Sequence, residues 1–411
     1  MKGLVQKCRS LLVYRDVFED AIAGAFLTVL ENLDRPEIAI QAYADWFSAL
    51  AKLRQGWKDY LLNRILLSEN AFTQQAHESF IPDELIHAVR RDARILQEVY
   101  QLGCAQFAEL LDLVPWRDHL IQVDSRSRYQ EFERIQKRLE VSEDWAGEFI
   151  ELLSFYRKFG TGRFAEYSAF RWQNGKLNAI ATPDPVRIDA LVGYESQRDQ
   201  LLRNTEFLLA GLPALHILLY GSRGSGKSSL VKSLLGKYEN LRLIEVAKSE
   251  LRDLPAIVEG LRNLPQKFVI FVDDLSFEED DDAYKALKVV LEGNLTARPQ
   301  NVVVYATSNR RHLIREFFDD RPRPRDADEI HNWDTVQEKL SFSDRFGLTL
   351  TFEPADQPTY LKIVHHLAEQ AGISVDDLEF RALQWATRHN GRSGRTARQF
   401  VDFLKSELTH E

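Results

Sequence analysis

The sequence predicts an α/β protein: a parallel sheet flanked by helices, preceded by an all-helical N-terminal domain and followed by further helices. Three observations predict it. Apolar residues before about residue 165 recur at helical spacing. Beyond residue 190, short β-rich runs alternate with helical stretches. From Asp356 onward the spacing is helical again. The 411 residues leave room for two to four domains at roughly 100–200 residues each.

Tyr43, Trp46, Phe47, Leu50, Leu53, Trp57 and Leu61 form one apolar stripe in the N-terminal region, as an amphipathic helix requires. Ile95, Val99, Leu102, Gln106 and Leu110 continue the pattern less cleanly. Trp46, Trp57, Trp116, Trp145 and Trp172 all precede residue 190 and read as core aromatics. A base-stacking platform is the competing reading. It needs interleaved Lys and Arg, which are sparse here. Phe159–Arg163 and Trp172–Lys176 look like turns, and Ala181–Val186 is a Pro-punctuated linker. The expected division is a helical domain over 1–165, a linker over 166–190, an α/β core over 191–354 and a helical segment over 355–411. The expected strands are His216–Tyr220, Leu241–Val246, Phe268–Val272, Val302–Ala306 and Leu348–Phe352. Alternation with helices argues for a parallel sheet. Asp356 reads as an N-cap with Pro358 in the first turn.

Hydrophobic residues at 44% and charged residues at 28% belong to a globular chain rather than a disordered one. The net charge is −9 and neither half carries a basic excess. That argues against a basic body for sequence-independent nucleic-acid binding and leaves room only for a local patch. Cys8 and Cys104 are the two cysteines; they could form one disulfide but no CxxC pair. No HExxH is present, so a zinc site is not expected. Lys7, Arg9 and Arg15 interrupt the N-terminal apolar stretch and spoil a signal-peptide core. No apolar run approaches the roughly 18 residues of a membrane span. A cytoplasmic protein with no membrane partner is expected.

The strongest motif is Gly221, Ser222, Arg223, Gly224, Ser225, Gly226, Lys227 and Ser228, followed by Ser229. It fits G-x-x-x-x-G-K-[ST] at every fixed position, between an apolar strand and a helical stretch. Glycines let the backbone curl so that several N–H groups point inward. The following helix adds its positive end. Lys227 would reach the β- and γ-phosphates, and the Ser228 hydroxyl would ligate Mg²⁺. A Gly-rich turn with a surface lysine would lack that strand and helix. Downstream, Phe268–Val272 ends in Asp273 and Asp274. A buried strand would deliver both carboxylates to its C-terminal end, where α/β sheets bind ligands. Asp273 suits the Mg²⁺ water shell, and Asp274 suits activation of an attacking water. Taken alone, this segment is as readable as a strand followed by an acidic turn.

With these motifs in place the sequence resembles the AAA+ ATPases. Leu191–Gln197, containing Val192 and Gly193, looks like the segment that packs near adenine. Val302–Asn309 looks like the strand ending in the polar sensor 1 residue, here Asn309. Ser343–Gly347 resembles the arginine-finger segment, with Arg345 as the finger. Ser393–Arg398 resembles the sensor 2 segment, with Arg395 the better match and Arg398 one turn on. FVDDLSFEE, ATSNRRHL, SDRFGL and SGRTARQF look more closely like one bacterial AAA+ family known only as a domain of unknown function, over roughly 155–408. The resemblance implies a five-stranded core, a C-terminal helical lid, ATP or ADP with Mg²⁺, and a homo-oligomer in which Arg345 acts in trans. It implies no client. Each of the three arginines is also readable as an ordinary surface or ion-pair residue.

Two features depart from the AAA+ pattern. Most AAA+ proteins carry Glu where this chain has Asp274, which is one methylene shorter. Water activation would then be slower or would recruit Glu278. Ring translocases that thread polypeptide usually place an aromatic after the second core strand, whereas Ala247–Glu250 has none. Arg310, Arg311 and His312 follow Asn309; they could face the nucleotide or a neighbour, or be paired structurally. The run Glu278–Asp282 reads as a solvated acidic loop, and Glu316–Thr335 as a long charged connection suited to a partner or nucleic acid. Three functions stay open. One is an oligomeric ATPase that remodels a client recognised by the N-terminal helical domain. Another is a slowly hydrolysing, nucleotide-gated binding module. The last is a DNA-associated loader, against which the missing basic excess and missing helix-turn-helix signal count.

Overall fold

The computed structural model describes residues 2–76, 80–119, 130–277, 282–292, 298–309, 313, 342–389 and 391–410. Arg310, Arg311, His312, Glu278, most of the acidic run 278–282 and the charged connection 316–335 lie outside the described residues. Residues 1–166 and 167–411 form two compact units.

The first unit is helical. Its helices are α1 (Lys2–Arg9), α2 (Ala21–Glu31), α3 (Pro36–Leu53), α4 (Trp57–Leu66), α5 (Ala71–Gln75), α6 (Asp83–Tyr100), α7 (Cys104–Leu111), α8 (Gln130–Val141), α9 (Phe149–Phe159) and α10 (Gly162–Glu166). Trp46 and Trp57 are buried, and their rings meet edge to face at 5.0 Å, with Phe26 stacked on Trp57 at 4.3 Å. Each such buried ring contributes roughly 1.5–3 kcal/mol through burial. Trp145 joins the same core. The stripe from Tyr43 to Leu61 does not run along one helix. Arg54 adopts a left-handed conformation after α3, and α4 restarts at Trp57. Gly56 precedes α4 at a point with no room for a side chain, since a Cβ there would lie 2.1 Å from the Asp118 carbonyl oxygen. Leu53 and Leu110, read as stripe positions, are exposed. Cys8 and Cys104 are free and buried, so the disulfide open at the sequence level is not formed.

The second unit is built on one sheet. Its strands are β1 (Ala169–Gln173), β2 (Lys176–Ala179), β3 (Ile217–Gly221), β4 (Leu241–Val246), β5 (Lys267–Val272), β6 (Val302–Ser308) and β7 (Leu348–Phe352). Their order is β2-β1-β4-β5-β6-β3-β7. Every pairing is parallel except β1 with β2. The helices α11 (Glu195–Leu209), α12 (Lys227–Lys237), α13 (Leu254–Leu261) and α14 (Asp282–Glu292) connect the strands. Phe268–Val272 is buried along its whole length. That continuous apolar run is what a strand covered on both faces requires.

Among the described residues the sheet has seven strands where five were expected. The two extra strands come from residues 169–179, read from their turns as part of a 166–190 linker. Asn174 and Gly175 both have positive φ and make the two-residue turn of a hairpin, with Gln173 opposite Lys176. β1 then pairs in parallel with β4, Ala169 opposite Leu243. Trp172 belongs here and not to the helical core: its indole Nε1 donates to Asp253 Oδ2 at 2.8 Å.

The C-terminal helices are α15 (Gln357–Gln370), α16 (Leu378–Arg388) and α17 (Gly394–His410). Tyr360, Val364, Ala382, Ala397, Val401 and Leu404 pack as their common core. Asp356 caps α15, its carboxylate accepting from the Thr359 N–H at 2.9 Å, with Pro358 in the first turn. Among the described residues no helix is long and apolar enough to cross a membrane.

Candidate nucleotide-binding site

Three adjacent strands at the sheet centre place the site. β5, β6 and β3 lie side by side and in parallel, so their C-terminal ends open on one edge. β3 releases the loop Ser222–Gly226, β5 releases Asp273 and Asp274, and β6 ends in Thr307, Ser308 and then Asn309.

The loop can follow this path only because of its glycines. Gly221 has φ 139°, and a Cβ on it would lie 1.9 Å from the Phe352 carbonyl oxygen of β7. That backbone contact cannot yield as a flexible side chain would. The next amide, Ser222 N–H, donates to the same carbonyl at 2.9 Å. Gly224 has φ 75°, and its Cβ would lie 2.9 Å from Ser393 Oγ. Its carbonyl accepts from the Arg395 N–H at 3.1 Å, which joins the loop to the first turn of α17. α12 begins at Lys227 directly after the loop and aims its unpaired N–H groups back at it.

Lys227 is 6% exposed. Its Nζ donates to the carbonyls of Gly221 at 3.0 Å and Ser222 at 2.7 Å and lies 3.4 Å from Asn309 Oδ1. Burial lowers the pKa of its ammonium group; Asp273 and Asp274 oppose that shift and Arg395 adds to it. Ser228 Oγ donates to Asp273 Oδ1 at 2.6 Å. Asn309 Nδ2 donates to Asp274 Oδ1 at 2.7 Å.

These groups border a cavity of about 620 Å³. Arg223, Gly224, Ser225, Gly226, Lys227, Ser228 and Ser229 form one wall, with Asp273, Asp274, Thr307 and Asn309 beside them. Leu191, Val192, Tyr194, Ile363 and Leu367 supply an apolar end, and Arg198, Arg395 and Arg398 add charge. The lining holds the cations Arg198, Arg223, Lys227, Arg395 and Arg398 against the carboxylates Asp273 and Asp274. That surplus suits a polyanion joined to a flat apolar group. A hydroxyl beside a carboxylate is a hard-oxygen pair. Mg²⁺ is held by one or two carboxylates together with substrate phosphates and water, so Ser228 and Asp273 fit it.

Most sequence-predicted residues are therefore brought together. Gly221 and Ser222 stand behind the cavity wall and contribute the carbonyls that hold Lys227. Gly193 is not part of the lining either. Its N–H donates to Glu195 Oε1 at 3.1 Å, and a Cβ there would meet Thr359 Cγ2 at 2.7 Å. Glu195 also accepts from Lys362 of α15 at 2.6 Å, and these bonds lower its pKa to about 2. Arg345 lies away from the cavity. Its Nε pairs with Glu292 Oε1 at 2.6 Å, and its Nη1 lies 3.3 Å from the Tyr284 hydroxyl. Tyr194 lies within the segment Leu191–Gln197 expected near the base, whereas sequence reasoning missed Thr307, Arg198, Ile363 and Leu367. Thr307 had a readable signal: two residues before Asn309 on a strand, it shares that residue's face. Arg198 lies one helical turn beyond Tyr194. The lid residues carried no such local sign.

Residues 165–408 match the family described as Protein of unknown function (DUF815). Among curated proteins, a probable spastin homolog of Brugia malayi is 24% identical over 160 residues, which is 33% of this chain and 35% of that protein. The chain thus spans about a third of the length of that relative. Among solved structures, the Thermotoga maritima RuvB Holliday junction branch migration motor aligns at a TM-score of 0.38 and 16% identity. The alignment covers 55% of this chain and 66% of that one. A point mutant of the same protein aligns at 0.39 and 17%, with the same coverage.

Proposed function

The chain belongs to the DUF815 family, whose description assigns no activity, and from its site we propose that it is an AAA+ ATP hydrolase that uses Mg²⁺ and couples nucleotide state to a client. One observation carries the reading: Ser228 Oγ meets Asp273 Oδ1 at 2.6 Å beside the buried Lys227. A hydroxyl, a carboxylate and an ammonium converge at a glycine-rich loop that runs directly into the start of α12, which is the arrangement that phosphoryl transfer to water requires.

Each residue then has a task. The loop N–H groups and the start of α12 hold the phosphates, and Lys227 leaves its carbonyl partners to meet the terminal ones. Ser228 and Asp273 would hold Mg²⁺, which supplies charge neutralisation on the phosphate oxygens. Asp274 accepts a proton from the attacking water, and Asn309 orients that water and the carboxylate together. Leu191, Val192, Ile363 and Leu367 would receive the base. Arg395 and Arg398 stand on the lid, where they report which nucleotide is bound. Arg345, outside its own cavity, acts on a neighbouring subunit, so the working form is a homo-oligomer assembled head to tail. The N-terminal helical domain recognises the client, and the protein works in the cytoplasm. A slowly hydrolysing switch is the second reading, favoured by the shorter carboxylate of Asp274.

Calorimetric titration of the full chain with ATP and MgCl₂ tests the proposal. Binding that is lost in Lys227→Glu is the expected result. No heat with the parent chain, or undiminished heat with the charge-reversed variant, would overturn it.

A further inference from the structure

Thr307 is 2% exposed at the end of β6. Its hydroxyl makes two hydrogen bonds, and both go to the acidic pair. It donates to Asp273 Oδ1 at 2.5 Å and accepts from the Asp274 N–H at 2.9 Å. We propose that Thr307 is the positioning residue of this site, setting the carboxylate of Asp273 and the backbone turn of Asp274 with a single hydroxyl. The proposal rests on the reading that Mg-ATP occupies the cavity.

The backbone shows why the turn needs setting. Asp274 has φ 52°, a left-handed conformation uncommon for a residue with a Cβ. Such conformations persist where the surroundings over-determine them. The bond from the Asp274 N–H to Thr307 Oγ1 holds this one, and it aims the Asp274 side chain at Asn309.

Asp273 has a related need. Its Oδ1 accepts from both Ser228 Oγ and Thr307 Oγ1. Ser228 is the residue that would turn toward the cation. Thr307 is the donor that would remain, keeping the carboxylate plane fixed while Ser228 changes partner. Groups that orient a metal-binding carboxylate act in this way, without touching the metal.

A general role in joining the strand ends does not account for the hydroxyl. The Leu275 N–H donates to the Thr307 carbonyl at 2.7 Å, and Ser308 Oγ donates to the Leu275 carbonyl at 2.8 Å. Those bonds tie β6 to the segment after β5 and involve no threonine side chain. Valine at 307 would keep the shape, the strand propensity and both ties, and would lose only the bonds to the acidic pair.

The test compares Thr307→Val and Thr307→Ser with the parent, all as full chains. ATP and ADP affinities are measured calorimetrically in EDTA and across a MgCl₂ series, followed by steady-state turnover. In Thr307→Val, affinity in EDTA stays at the parent value, which also reports that the cavity is folded. The gain in affinity on adding Mg²⁺ falls by about 10–100-fold. The value of kcat falls, while KM for ATP at saturating Mg²⁺ moves less. Thr307→Ser restores the Mg²⁺ dependence. Parent-like Mg²⁺ dependence in Thr307→Val, or a serine variant as defective as valine, would overturn this assignment alone. A parent chain that binds no ATP would overturn the ATP reading and this assignment with it.

Discussion

Asn309 donates to the Asp274 carboxylate at 2.7 Å, and its own amide oxygen lies 3.4 Å from Lys227 Nζ. One side chain at the end of β6 therefore spans the phosphate-binding lysine and the second acidic residue. Whatever moves Lys227 toward a phosphate loosens one end of Asn309 and leaves the other on Asp274.

Asp274→Asn should separate binding from turnover. The amide keeps the shape and loses the proton acceptor. We expect ATP affinity to be retained and turnover to fall by about 10²–10⁴-fold, the usual contribution of a general base. Nucleotide retained through rapid desalting, alongside steady-state rates, measures both. Undiminished turnover would move the base to another residue.

Arg345 should act between subunits. Its partners Glu292 and Tyr284 lie on α14 of its own chain, and cutting such a partly exposed pair costs about 1 kcal/mol or less. Arg345→Ala should therefore fold and bind ATP, yet lose about 10³–10⁵-fold in turnover. Turnover per subunit in the parent should rise with protein concentration. Mixing Arg345→Ala with Lys227→Ala should recover activity, because each supplies what the other lacks. A flat specific activity together with no recovery would remove the trans role.

His216 should make the protein acid-sensitive. It is buried beside β6, and its Nδ1 accepts from the Val304 N–H at 2.9 Å. Burial, followed by the positive charge of Arg298, lowers its pKa to about 3, against the Val290 carbonyl. Below an unfolded pKa of about 6.5 the unfolded chain binds a proton that the folded chain does not. Its contribution is thus fully present above that pH and is lost as pH falls toward 3. The slope is about 1.4 kcal/mol per pH unit. His216→Asn keeps an acceptor for Val304 and removes the titration. Urea unfolding at pH 7 and pH 5 should show a loss about 2 kcal/mol smaller in the variant. Equal losses in both proteins would clear His216.

The two halves of the site differ in how they could be read. The phosphate loop is a contiguous motif, so its spacing carries its geometry. Asp273 and Asp274 were readable because a buried strand must end at the ligand edge. Residues 169–179 held a hairpin turn in Asn174 and Gly175, yet strand β1 needed β4, some 70 residues on, before it became part of the sheet. The stripe from Tyr43 to Leu61 looked continuous because periodicity does not register the break at Arg54, where the chain turns left-handed before the next helix starts at Trp57.

Local chemistry decided the five expected strands, the lysine-bearing loop and the cap at Asp356, since each depends on neighbours within one turn or one strand. Folding alone decided that Thr307 would bridge the Asp273 carboxylate and the Asp274 backbone N–H and that Arg345 would turn away from its own cavity. Those outcomes depend on which strands lie side by side and in what register, with Phe271 opposite Tyr305 and Val272 opposite Ala306. Pairing between segments so far apart is settled by burying the whole sheet at once, and no short stretch of residues contains it.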